Sequence, residues 1–121
     1  MPITKALCVD DVASDLLNIE KIVASANIHV RTATSGAEAI EKAKSEKPGI
    51  IFLDVNMPGM DGFATTRALK KDADTKDIPI VLVTSKSQKA DKMWAKMQGA
   101  EGYVVKPYTD AEILDQLKAF D

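Results

Sequence analysis

Along this chain five short apolar runs alternate with five longer segments of helical period, and the runs fall at about residues 3–9, 28–33, 50–53, 78–83 and 102–105. The third and fourth, Ile50-Ile51-Phe52-Leu53 and Ile78-Pro79-Ile80-Val81-Leu82-Val83, are nearly continuous and rich in branched side chains. Strands covered on both faces read this way because neither face has to meet water, so these two are expected inside a parallel sheet. Helix signals fill the gaps. Ser14 can cap a segment carrying Leu16, Ile19 and Val23, while Ser35-Gly36-Ala37-Glu38 and Thr109-Asp110-Ala111-Glu112 match the capping-box pattern. Further helices are expected from about Gly62 to Lys71 and from about Gln88 to Gln98, the latter closing at Gly99, where a left-handed cap fits. In the last helix Ile113, Leu114, Leu117 and Phe120 form one apolar stripe.

A strand followed by a helix, repeated five times, folds with right-handed crossovers into an open α/β structure. The expectation is a doubly wound five-stranded parallel sheet of order 2-1-3-4-5 with helices on both faces. In such sheets ligands bind beyond the carboxyl ends of the strands where strand order reverses, here between strands 1 and 3.

Composition narrows the picture without redirecting it. The 121 residues, 45% hydrophobic and 28% charged, suit one domain spanning 1–121, with no internal linker and no output domain expected. Aromatic residues are only 5%, so the core must be built from Val, Ile, Leu, Ala and Met. A formal net charge of −2 is a poor footprint for nucleic acid or an anionic membrane, so neither is expected as a partner. The single cysteine, Cys8, lies in an apolar run and offers neither a disulfide framework nor a thiolate zinc site; it is expected in the core. With no long apolar stretch and no leader-like start, the expected location is the cytoplasm.

Candidate chemistry gathers at the strand ends. Strand 1 runs into Asp10-Asp11 and strand 3 into Asp54, so the expected order brings three carboxylates to one rim. Like charges a few ångströms apart repel, and a divalent hard cation is the natural compensation; Mg²⁺, which takes oxygen ligands, is the expected cofactor. Asp11 and Asp54 would hold it with the Asn56 backbone carbonyl, and Asp10 would act closely or through water. Acidic residues at helix starts and strand ends are ordinary, so each carboxylate alone also reads as a cap. The set reads differently, because strand 4 ends in Thr84-Ser85 and strand 5 runs into Lys106-Pro107. An aspartate ringed by a metal, a hydroxyl and a lysine is equipped to accept a phosphoryl group. Asp54 would be the nucleophile, Lys106 would offset charge on phosphoryl oxygens, and Thr84 would donate to one of them.

The motifs Val9-Asp10-Asp11, Leu53-Asp54-Val55-Asn56-Met57-Pro58-Gly59-Met60-Asp61-Gly62, Val83-Thr84 and Val105-Lys106-Pro107 resemble the receiver domain of two-component response regulators, the CheY-like family of flavodoxin-like fold. The resemblance covers the whole chain. It implies phosphorylation of Asp54 by a histidine kinase or histidine phosphotransfer domain with Mg²⁺ required, in a signalling domain that catalyses only its own phosphorylation and dephosphorylation. It also implies a cis peptide at Lys106-Pro107, and a switch in which Thr84 and Tyr103 move together and reshape the face of helix 4, strand 5 and helix 5. More narrowly, Lys71-Asp72-Ala73-Asp74-Thr75 with Ile78-Pro79, and the segment from Ala90 to Ala100, are similar to the PilH-type regulators of type IV pilus twitching motility. That similarity implies a chemosensory kinase upstream, a downstream protein partner in pilus motor regulation, and a monomer or weak dimer.

Other readings use some of the same residues. A phosphate sink uses the same residues and differs in rates and partners, whereas a binding-only receiver is not supported by a chain in which Asp10, Asp11, Asp54, Thr84 and Lys106 are all present. An Asp-nucleophile phosphatase of the haloacid-dehalogenase type would place Asp-x-Asp on the first strand, whereas here the nucleophile is on strand 3 and Asn56 stands in the second position. A flavin or nucleotide binder would need a glycine-rich first loop in place of Asp10-Asp11-Val12. On the fourth helix Lys89, Lys92 and Lys96 read as solvated surface or a docking face, and Trp94 and Met97 as core or edge packing or a partner contact. Lys86 and Asn56 flank the acceptor and could gate water. His29, on strand 2, has no phosphotransfer role.

Overall fold

The computed structural model describes residues 2–121. Five parallel strands, β1 (Lys5–Val9), β2 (His29–Ala33), β3 (Ile50–Leu53), β4 (Ile80–Thr84) and β5 (Gly102–Val105), alternate with five helices. These are α1 (Ala13–Ala24), α2 (Gly36–Glu46), α3 (Gly62–Lys71), α4 (Lys89–Gln98) and α5 (Asp110–Ala119). The sheet order is β2-β1-β3-β4-β5, as the alternation predicts, with Val9 opposite Leu53 and Thr84 opposite Val105. No helix among the described residues is long and apolar enough to cross a membrane.

The alternation of strand side chains separates two cores. Leu7, Val9, Ile51, Leu53, Ile80 and Leu82 point to one face and pack beneath α2, α3 and α4. Ala6, Cys8, Ile50, Phe52, Val81 and Val83 point to the other, where α1 contributes Ile19, Ile22 and Val23 and α5 contributes Ile113 and Leu117. Both faces of the interior strands are therefore dry, which is why their sequences are apolar without interruption. β2 is an edge, and its His29 and Arg31 are exposed. Cys8 lies fully buried, its thiol pushed up to about 12 by burial and by the nearby Glu20 charge.

Several element ends differ from expectation for identifiable reasons. β4 begins at Ile80 because Pro79 has no N–H to give the ladder, and it continues through Thr84. α1 starts at Ala13 with Val12 at the cap, so Ser14 lies inside the helix; the Asp10 carboxylate accepts the Val12 N–H at 2.9 Å instead. At α2 the Ser35 hydroxyl accepts from Glu38 N–H, but the Glu38 carboxylate accepts from Thr34 N–H, one residue further out than a capping box requires. α5 has both halves of its box, between Thr109 and Glu112. Gly99 closes α4 at φ 104°, in the left-handed region.

α4 is attached by little. Ala95 is its only buried residue, while Met93, Trp94 and Met97 are 59%, 45% and 72% exposed. Packing of Trp94 and Met97 into the core is thereby corrected: the helix turns Ala95 inward, and Trp94, one position before it, and Met97, two after it, lie about 100° and about 200° round the helix, away from the face that meets the sheet.

Candidate functional site

The rim at the carboxyl ends of β1, β3, β4 and β5 is built by the ladder itself. The Asp10 N–H donates to Ala33 O at 3.2 Å and the Asp54 N–H to Val9 O at 3.0 Å, so the first residue beyond each strand is still held in the sheet. The Lys106 N–H donates to Thr84 O at 2.8 Å and brings the end of β5 against that of β4. Gly62 seats α3 against the end of β3: a Cβ there would stand 2.4 Å from Asp54 O and 2.7 Å from Val55 Cα. Any side chain at that position would drive the helix off the strand end, and Asp61, capping α3 through the Ala64 N–H at 2.8 Å, fixes the approach.

Asp10, Asp11 and Asp54 each offer a carboxylate oxygen within 4.8 Å of the others. Asp10 and Asp54 are 4% and 5% exposed, while Asp11 faces solvent. Three hard anionic oxygens, two of them enclosed and one at the mouth, fit a small divalent cation such as Mg²⁺ with room for water ligands. Asn56 lies exposed in the loop after β3, and its backbone N–H and that of Val55 are directed at the Asp54 carboxylate.

Burial and the Asp10 charge raise the Asp54 carboxyl to about 6, against the opposing pull of Lys106 and those two N–H groups. Lys106 Nζ donates to Asp10 Oδ2 at 2.9 Å and to Asp15 Oδ2 at 3.0 Å, and it stands 3.6 Å from Asp54 Oδ1. Burial alone would lower its ammonium, but hydrogen bonds to Asp10 and Asp15 and the Asp54 charge outweigh that and hold it above the usual lysine range. The Lys106–Pro107 peptide bond is cis.

Thr84 is fully buried at the end of β4, its hydroxyl oxygen accepting the Lys86 N–H at 3.3 Å. The Lys86 carbonyl in turn accepts the Tyr103 hydroxyl at 2.7 Å. One residue of the loop after β4 thus holds both groups, with half-buried Tyr103 turned toward α4. The expected carboxylates and Lys106 therefore meet in one place, and Thr84 and Tyr103 meet at Lys86. Asp15 was not expected among them. It occupies the first turn of α1, where acidic residues ordinarily complement the helix dipole, and only its position one turn beyond Asp11 hinted at the rim. Behind it the Asn18 amide donates to the Tyr108 hydroxyl at 3.1 Å, across a cavity of 420 Å³.

Comparison with known proteins gives consistent matches. Residues 6–118 match the family described as response regulator receiver domain. Protein PilH of Pseudomonas aeruginosa is 36% identical over 115 residues, which cover 95% of each chain. Response regulator PleD of Caulobacter vibrioides is 35% identical over 115 residues, but these span only 25% of its length. Among solved structures, the chemotaxis protein CheY4 of Vibrio cholerae superposes with a TM-score of 0.92 at 33% identity, covering 98% of this chain and 99% of that one.

Proposed function

Because the chain belongs to the response regulator receiver domain family, a family of signalling domains, we propose that Asp54 is its phosphoacceptor. One observation carries the reading: a buried carboxylate whose nearest cation, Lys106, stands 3.6 Å away inside a cluster of two further aspartates. An Asp54 oxygen attacks the phosphorus of a phosphohistidine on a histidine kinase or phosphotransfer domain. The P–O bond forms as the P–N bond breaks, and the imidazole nitrogen leaves with the electron pair. Mg²⁺, held by Asp10, Asp11, Asp54 and the Asn56 carbonyl, would neutralise charge on the phosphoryl oxygens. Lys106 gives a proton donor to one of those oxygens, and Thr84 turns its hydroxyl to another. Attack of water on the same phosphorus releases inorganic phosphate and returns the Asp54 carboxylate.

The hydrogen bonds supply a path for the switch. When Thr84 reorients, it gives up the Lys86 N–H, and the Lys86 carbonyl is the acceptor of the Tyr103 hydroxyl. The Lys86 peptide is then free to shift together with Tyr103 against α4, the helix whose one buried residue is Ala95. The surface of α4, β5 and α5 thereby changes for a downstream protein partner. Similarity to PilH over 95% of both chains supports a role in chemosensory control of type IV pilus twitching motility, with a chemosensory kinase as donor.

Intact mass after incubation with acetyl phosphate tests the acceptor. We expect an adduct of one phosphoryl group that requires Mg²⁺, is lost on standing, and is absent from Asp54→Asn. A folded natural protein that forms no adduct, with acetyl phosphate or with a phosphorylated histidine domain, overturns the reading.

A further inference from the structure

We propose that Asp15 is a positioning residue that holds the Lys106 ammonium away from Asp54 in the unphosphorylated protein and so restrains phosphorylation; the inference rests on Asp54 being the acceptor. A lysine ammonium has three protons to donate and no more. Two are committed, to Asp10 at 2.9 Å and to Asp15 at 3.0 Å, and Asp54 at 3.6 Å lies beyond direct hydrogen bonding. The third proton is free for a phosphoryl oxygen on Asp54, but Lys106 stands off at 3.6 Å, and drawing the ammonium inward to deliver that proton stretches one of the two bonds already made. Asp10 is enclosed and belongs to the carboxylate cluster, so leaving it unpaired is costly. The Asp15 side chain is 45% exposed, and water can take the place of Lys106 there. Asp15 is therefore the partner that is released.

The geometry also explains why the restraint is weak. A half-exposed ion pair contributes little because solvent screens it, enough to hold a side chain in a resting position without trapping it.

The test compares initial rates of acetyl phosphate adduct formation at saturating Mg²⁺. Asp15→Asn should react about two- to fivefold faster than the natural protein, the range a screened pair allows. Asp15→Glu, which restores the charge and reaches Lys106, should return the rate toward natural. In a Lys106→Met background Asp15→Asn should change nothing, since the restraint acts through the ammonium. Equal acceleration in both backgrounds would mean that Asp15 acts by charge alone and would overturn the proposal, as would an unchanged rate in the natural background. Because Lys106→Met removes the cation from buried carboxylates and can fail to fold, a second measurement stands apart from it. The ¹⁵N-detected Lys106 ammonium resonance in the ion-free protein should shift, and its proton exchange should quicken, in Asp15→Asn; a resonance indifferent to the substitution overturns the proposal. A natural protein that accepts no phosphoryl group overturns the acceptor reading and this inference with it, whereas phosphorylation at a rate indifferent to Asp15 overturns this inference alone.

Discussion

Leu53 and Asp54 are consecutive, both nearly sealed from solvent, and opposite in what their burial does to the fold. Leu53 lies at the end of β3 between Val9 and Leu82, with no solvent exposure, and every atom of its side chain gains from being there. Asp54, held by the same ladder, brings a carboxyl group into a space that already contains the Asp10 charge, and its raised pKa measures how poorly that space suits an anion. A few ångströms along one strand the chain passes from packing that supports the fold to a cluster that works against it. The lesson is that the rim is stabilised by its neighbours and not by its own contacts, and that a cation or a phosphoryl group entering it finds charges already assembled.

The sharpest way to break this comparison is to truncate both residues. Leu53→Ala should cost about 3 kcal/mol, from lost burial plus the cavity left behind, read by urea unfolding at pH 7. Asp54→Asn should do the reverse in divalent-free buffer, raising stability on the order of 2 kcal/mol at pH 7. The sign follows from the direction of the shift. The Asp54 carboxyl is raised from 3.8 to about 6 on folding, so the stability it leaves intact below pH 4 is lost as the pH rises through 6, where the unfolded chain is ionised first. The natural protein should lose that stability between about pH 4 and 6 and Asp54→Asn should not. If Asp54→Asn is instead destabilising, Asp54 is supported at the rim as well as Leu53 is in the core, and the contrast fails.

Smaller effects sharpen it. Mg²⁺ at ten times its dissociation constant should stabilise the natural protein by about 1.4 kcal/mol, reversed by EDTA and weaker in Asp54→Asn, as expected where binding repays carboxylate repulsion. Smallest of all, Met97→Ala should change stability by less than about 0.5 kcal/mol, because a side chain 72% exposed has little burial to lose. A larger loss would show that α4 is anchored as firmly as its neighbours.

The fold was largely legible because the period of the apolar residues is set by the same two faces that the helices cover. Ile51 and Leu53 face one core, Ile50 and Phe52 the other, and an uninterrupted apolar run is what two dry faces require. Strand and helix ends were less legible, since they depend on where a donor is missing, as at Pro79, or on which side chain reaches a free N–H, as Asp10 does in place of Ser14. Of the site, Asp10, Asp54 and Lys106 could be placed together because each directly follows a strand, with Asp11 next after Asp10, and strand order fixes which ends are neighbours. Asp15 could not. It reaches the rim from a helix, and its partner, Lys106, is 91 residues away. The exposure of Trp94 was hidden for a related reason: an apolar residue at helical spacing does not announce which side of the helix the sheet will take.

That exposure has an optical consequence. Trp94 is the chain's one tryptophan, and it is 45% exposed on the helix with the least buried attachment. Its indole emission comes from a single place, with no second tryptophan to dilute it, and its wavelength follows how wet that place is. The protein thus carries its own dye on α4, and a shift in colour or quenching there reads the position of this helix without any label having to be attached.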